Sequence, residues 1–129
     1  MIAVDTSALM AIVRNEVAAD DCQAVLEANS DVYISAGTLA EALIVAMAKG
    51  HLQEIRDLVD RLRFTVVDAT EETAERVAVA YARWGKGNHP AGLNFGDCFA
   101  YALAEQLNCP LLFVGKDFSR TDILPALPA

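Results

Sequence analysis

N-F-G-D-C-F-A-Y-A-L-A-E-Q-L-N-C-P-L-L-F-V-G-K-D, Asn94 to Asp117, sets an apolar helix directly before a short apolar strand. Asn94 is a strong helix cap, and the helix is predicted to run to Leu107. Before Glu105 it is apolar on nearly every face, which marks an interior helix. Pro110 to Val114 reads as a buried strand, and Gly115-Lys116-Asp117 as the turn that leaves it.

Working outward, the same alternation recurs. Met1 to Asp5 reads as a short buried strand, followed by helices over Ser7–Arg14 and Asp20–Ala28. Val32 to Ile34 is β-like. Thr38 to Lys49 is helical and ends at Gly50, a typical residue just past a helix. Leu52 to Arg63 carries apolar residues at 52, 55, 58, 59 and 62, a helical spacing. Phe64 to Val67 is β-rich. Thr70 caps a helix predicted to about Tyr81, with Glu71 and Glu72 favouring its positive end. Gly85 to Leu93 holds three Gly and one Pro and reads as a loop. The terminal L-P-A-L-P-A, residues 124–129, reads as irregular trailing chain. Strands alternating with helices predict an α/β fold, a three-layer sandwich with a mainly parallel central sheet and helices on both faces.

The chain has 129 residues, 54% hydrophobic and 22% charged, which suits one domain spanning 1–129. No signal peptide is evident at the N-terminus. The longest clean apolar stretch, Ala42 to Ala48, is too short to span a bilayer, so no membrane partner is expected and the cytoplasm is the expected location. A net charge of −8 argues against nonspecific nucleic-acid binding through bulk charge. A bound divalent cation can reverse the field locally. Cys22, Cys98 and Cys109 are odd in number and lack metal-ligand spacing, so they read as small core residues.

Four acids stand where this architecture turns: Asp5, Glu41, Asp97 and Asp117. Right-handed crossovers place helix N-termini beside strand C-termini, where α/β proteins bind ligands. All four acids therefore predict to one sheet edge. Each also has an ordinary explanation. Thr38 to Glu41 fits a capping box, and Asn94 to Asp97 has the same spacing. Asp5 suits a cap for the first helix, and Asp117 suits a turn. Jointly they are harder to explain that way. Two carboxylates about 4 Å apart repel by about 4 kcal/mol at an effective dielectric near 20. A hard, oxygen-preferring Mg²⁺ or Mn²⁺ resolves that repulsion. His51 and His89 are too few for a zinc site.

V-D-T-S-A-L at Val4 to Leu9, A-E-A at Ala40 to Ala42, N-F-G-D-C-F-A-Y-A-L-A at Asn94 to Ala104 and L-L-F-V-G-K-D-F-S-R-T-D-I at Leu111 to Ile123 together resemble PIN-domain ribonucleases. More narrowly, they resemble the VapC toxins of bacterial toxin–antitoxin pairs. The resemblance covers essentially the whole chain. It implies a Mg²⁺- or Mn²⁺-dependent endoribonuclease, an RNA substrate, inhibition by a VapB-type antitoxin, and a homodimer. It makes Asp5, Glu41, Asp97 and Asp117 the catalytic and metal-binding acids. Asp5 and Asp97 rank first as ligands. Thr6 is placed to orient a ligand or water, and Asn94 and Thr121 are assigned supporting roles. Asp122 is left as an additional acid near the last motif.

The expected chemistry is hydrolysis of an RNA phosphodiester, with one or two cations activating water and stabilising charge. Arg83 to His89 is the predicted backbone-contacting loop. Trp84 there either stacks on a base or anchors the loop in the core. Arg14, Lys116 and Arg120 are further candidates for phosphate contact. The Ser7–Arg14 and Leu52–Leu62 helices are candidate partner surfaces or core faces. Other readings fit less well. A receiver domain needs an acidic pair before the first helix, and a haloacid-dehalogenase-like phosphatase needs D-x-D where Asp5-Thr6-Ser7 stands. A PIN-like RNA-processing nuclease outside a toxin–antitoxin pair and a non-catalytic protein-binding module are the alternatives.

Overall fold

Successive strand residues face opposite sides of a sheet, and here both sides are apolar. Ile2 and Val4 enter one core while Ala3, between them, enters the other. Leu111 and Leu112 divide in the same way. A computed structural model describes residues 1–127 of the chain. Its strands are β1 (Ile2–Val4), β2 (Val32–Ser35), β3 (Thr65–Val67) and β4 (Leu111–Leu112). They form one parallel sheet in the order β3-β2-β1-β4. Ile2 pairs with Val32, and Ala3 pairs with both Tyr33 and Leu111.

Helices cover both faces, as the alternation predicts. α1 (Thr6–Val13), α2 (Ala19–Ala28), α3 (Ala36–Lys49) and α4 (Leu52–Arg61) supply the core built around Leu9, Leu26, Ala42 and Ile55. α5 (Glu71–Trp84) and α6 (Phe95–Leu107) supply the other, built around Val77, Tyr101 and Leu103. The three cysteines are free and buried. Among the described residues, no helix is long and apolar enough to cross a membrane.

Local chemistry moved several boundaries. α3 starts at Ala36 because the Ser35 side chain accepts from the Gly37 amide. The Thr38–Glu41 capping box therefore does not form, and Glu41 lies in the second turn. α3 does stop at Gly50, in the left-handed conformation at φ 79°. α5 carries on to Trp84, so Arg83 and Trp84 are helical rather than part of the loop. Pro110 to Val114 shortens to the two residues of β4. Leu124 to Ala126 is not trailing chain: Leu111 N–H donates to Leu124 O at 2.8 Å, and Ala126 N–H to Leu111 O at 2.9 Å. The final Pro-Ala of the predicted tail lies outside the described residues.

α1 and α4 are core faces rather than open partner surfaces: Ala8, Leu9, Ile55 and Leu58 are all buried. The exposed large apolar residues include Ile44 and Met47 of α3, Val79 and Tyr81 of α5, and Phe95 of α6.

Candidate active site

Asp5 leaves β1 and caps α1. Its Oδ2 accepts from the Ser7 amide at 3.0 Å and from the Ser7 hydroxyl at 2.6 Å. Ser7 Oγ in turn accepts from the Val114 amide at 3.0 Å, which ties the end of β4 to the start of α1. Asp5 is only 3% exposed, and its Oδ1 is buried without a hydrogen-bond partner. An orphaned carboxylate oxygen in the interior is costly. Burial pushes the Asp5 carboxyl up to about 6; the Ser7 hydrogen bonds oppose this, and the Asp97 and Glu41 charges add to it.

Glu41 reaches the same edge from α3. Thr6 Oγ1 lies 2.7 Å from Glu41 Oε1 and 3.3 Å from the Thr38 carbonyl oxygen. Thr6 is thus a direct hydrogen-bond partner of one of the acids. Asp97 sits in the first turn of α6 and closes a capping box: Asn94 N–H donates to Asp97 Oδ2 at 3.0 Å, and Asp97 N–H to Asn94 Oδ1 at 2.8 Å. Asn94 therefore holds Asp97. Burial raises the Asp97 carboxyl above its ordinary range; the Asn94 amide opposes this, and Glu41 and Asp117 reinforce it. Asp117 follows β4, is exposed, and makes no capping bond to the 3₁₀ turn Phe118–Arg120.

The charges thus interlock: Asp5 feels Asp97 and Glu41, and Asp97 feels Glu41 and Asp117. None of the six ion pairs among the described residues includes any of the four acids. Nor do any three His, Cys, Asp or Glu side chains there converge as a ready-made metal-ligating group. The reason is local: Asp5 is turned to Ser7, Glu41 to Thr6, and Asp97 to the Asn94 amide. The donor set is all oxygen, it lacks a cationic residue, and it includes the orphaned Asp5 Oδ1. That chemistry fits a hard divalent cation, with rotation of the outer carboxylates completing the set.

Other predicted residues fall differently. Thr121 Oγ1 donates to Phe118 O at 2.7 Å and accepts from the Ile123 amide at 3.2 Å, so it shapes the turn after Asp117 and touches none of the four acids. Asp122 accepts from Tyr101 Oη at 2.6 Å and pairs with Arg83 at 3.5 Å, a structural tie. Burial first, and then that bond, push the Tyr101 phenol up to about 12. Trp84 is buried, edge-on to His89 at 4.7 Å and beneath the Arg83 guanidinium at 4.5 Å. It anchors the loop and has no face for a base. Arg14 pairs with Glu16 at 3.6 Å, and Arg120 donates to Pro90 O at 3.1 Å. Ser7 and Gly96 touch the acids directly, through Asp5 and Glu41 respectively, and neither was among the predicted site residues. An Asp-x-Ser start to a helix is a usable signal for the first, whereas the second is visible only in three dimensions.

This parallel α/β sandwich gathers its acids outside the C-terminal ends of its strands, where proteins with open α/β sheets bind ligands. The chain belongs to the PIN domain family, whose model matches residues 2–124. It is 42% identical to Ribonuclease VapC28 of Mycobacterium tuberculosis over 96% of both chains. It is 45% identical to Ribonuclease VapC36 of the same organism, over 93% of this chain and 89% of that one. Its fold matches the crystal structure of M. tuberculosis VapC20, described as a Sarcin-Ricin loop cleaving toxin. That match has a TM-score of 0.78 at 16% identity and covers 96% of this chain and 97% of that one. A toxin–antitoxin complex from Klebsiella pneumoniae matches with a TM-score of 0.72 at 19% identity, over 95% and 93%.

Proposed function

We propose that the protein is an endoribonuclease dependent on Mg²⁺ or Mn²⁺, the toxin of a VapB–VapC type pair, acting in the cytoplasm. The observation that carries this reading is Asp5: buried, paired with no cationic residue, and left with an orphaned oxygen within reach of the Asp97 and Glu41 charges. The names of the relatives support RNA as the substrate.

When bound, the cation supplies charge neutralisation and a lowered water pKa for attack at phosphorus. Asp5 and Asp97 are its principal holders, and Glu41 and Asp117 complete the set. Ser7 fixes one Asp5 oxygen and leaves the other free, Thr6 fixes Glu41, and Asn94 fixes Asp97. RNA phosphates are held by Lys86, Lys116 and Arg120, from the loop after α5 and the turn after β4. Lys86 and Lys116 are exposed, and neither joins an ion pair among the described residues.

A VapB-type antitoxin is the proposed inhibitor, a reading supported by the Klebsiella complex. A homodimer is proposed through the apolar face of Ile44, Tyr81 and Phe95, which are 66%, 40% and 71% exposed. The test is cleavage of RNA by wild type, Asp5→Asn and Asp97→Asn, with folding checked by circular dichroism. Wild type is expected to cut only with Mg²⁺ or Mn²⁺, and the folded variants to be inactive. Full cleavage in EDTA, or by a folded Asp5→Asn/Asp97→Asn double variant, would sink the proposal.

A further inference from the structure

α3 and α6 meet at the acid edge through two glycines. A side-chain carbon added to Gly37 of α3 would strike the ring of Phe99 on α6, and one added to Gly96 of α6 would strike the carboxyl group of Glu41 on α3. Each helix thus seats a side chain of the other in a glycine notch. Neither glycine has a positive φ, so the backbone at both accepts any L-residue without strain.

The two notches differ in what fills them. At Gly37 the obstruction is the root and side of an aromatic ring packed between helices. At Gly96 the three nearest atoms are the two oxygens and the carboxyl carbon of Glu41. The far end of a glutamate is free to swing away, so a methyl group at 96 moves the acid and leaves the fold intact. Thr6 holds the other side of the same carboxylate, with its Oγ1 at 2.7 Å from Oε1.

We propose that Gly96 is a positioning residue for Glu41: its missing side chain is the seat that, with the Thr6 hydroxyl, keeps the Glu41 carboxylate beside Asp97. The consequence for metal binding rests on the reading of the acid edge as a Mg²⁺ or Mn²⁺ site.

The test compares Gly96→Ala, Glu41→Gln and the double variant in three measurements: Mn²⁺ affinity by calorimetry, melting temperature in EDTA, and a metal-free crystal structure. Gly96→Ala is expected to melt in EDTA at or above the wild-type temperature. Its Mn²⁺ affinity is expected to fall roughly 10–100-fold, as when a ligand's support is removed, and adding Glu41→Gln should cost no more. Wild-type affinity in Gly96→Ala, or losses that simply add, overturns the proposal. If Gly96→Ala melts lower, Glu41→Ala in the same chain must restore it; failure to restore means that the backbone itself needs the glycine, and overturns the proposal. If wild type binds no Mn²⁺, the metal reading fails separately. The crystal structure then decides: a Glu41 carboxylate withdrawn from Thr6 supports the proposal, and one still in place overturns it.

Discussion

Asp5 is buried and Asp122 lies at the surface, and the two are served in opposite ways. Asp122 has a tyrosine hydroxyl at 2.6 Å and a guanidinium at 3.5 Å. Asp5 has only the two Ser7 donors on one oxygen, nothing on the other, and two carboxylates close enough to raise its pKa. The first arrangement neutralises a charge with the chain's own residues and ties Arg83 of α5 to the segment after β4. The second leaves a charge to be neutralised from outside. On the proposed function, Asp122 holds the structure together and Asp5 is kept for a ligand.

The largest effect expected from this contrast is on activity. Asp97→Asn is expected to lower RNA cleavage by at least about 100-fold, more than the usual loss of a supporting residue. The substituted side chain keeps an oxygen that can accept from the Asn94 amide, so the cap on α6 survives. Asp122→Asn is expected to cleave at close to the wild-type rate. Comparable losses in both would erase the distinction.

The next is on stability against pH in the metal-free protein. Asp5 titrates near 6 when folded, against an ordinary 3.8. A folded chain that binds the proton more tightly gains stability fully present below pH 3.8 and lost as pH rises through about 6. For this shift the loss is about 3 kcal/mol. Asp5→Asn, which keeps the cap on α1, is expected to flatten that limb and to melt higher than wild type at pH 8 in EDTA. Urea titrations across pH 4 to 8 measure both. A wild-type profile that rises over this range after correction for the other carboxyls contradicts the assignment.

The smallest effect belongs to the structural acid. Tyr101→Phe removes the phenol–Asp122 bond and is expected to cost about 1 kcal/mol by urea denaturation, with Mn²⁺ affinity unchanged.

The sequence carried the shared edge well, because helix direction follows from strand order. Asp5, Asp97 and Asp117 stand where their places before a helix, in a first turn and after a strand put them. Glu41 was misplaced by a turn: Thr38-x-x-Glu41 matches a capping box, but β2 ends at Ser35 with no intervening loop, and Ser35 takes the cap. The reading of Asp97 as a helix cap was true and incomplete, since the same carboxylate serves Asn94 and faces the other acids. The Gly96 notch was not legible at all. Its meaning depends on Glu41, which is distant in the chain and meets it only through α3–α6 packing.

The central claim is that the acid edge exists to hold a divalent cation, and calorimetric titration of Mn²⁺ into metal-free protein tests it most directly. The account predicts saturable binding to wild type, binding lost in Asp5→Asn and Asp97→Asn, and binding retained in Asp122→Asn. Equal binding by wild type and folded Asp5→Asn, or no binding by wild type, would contradict it.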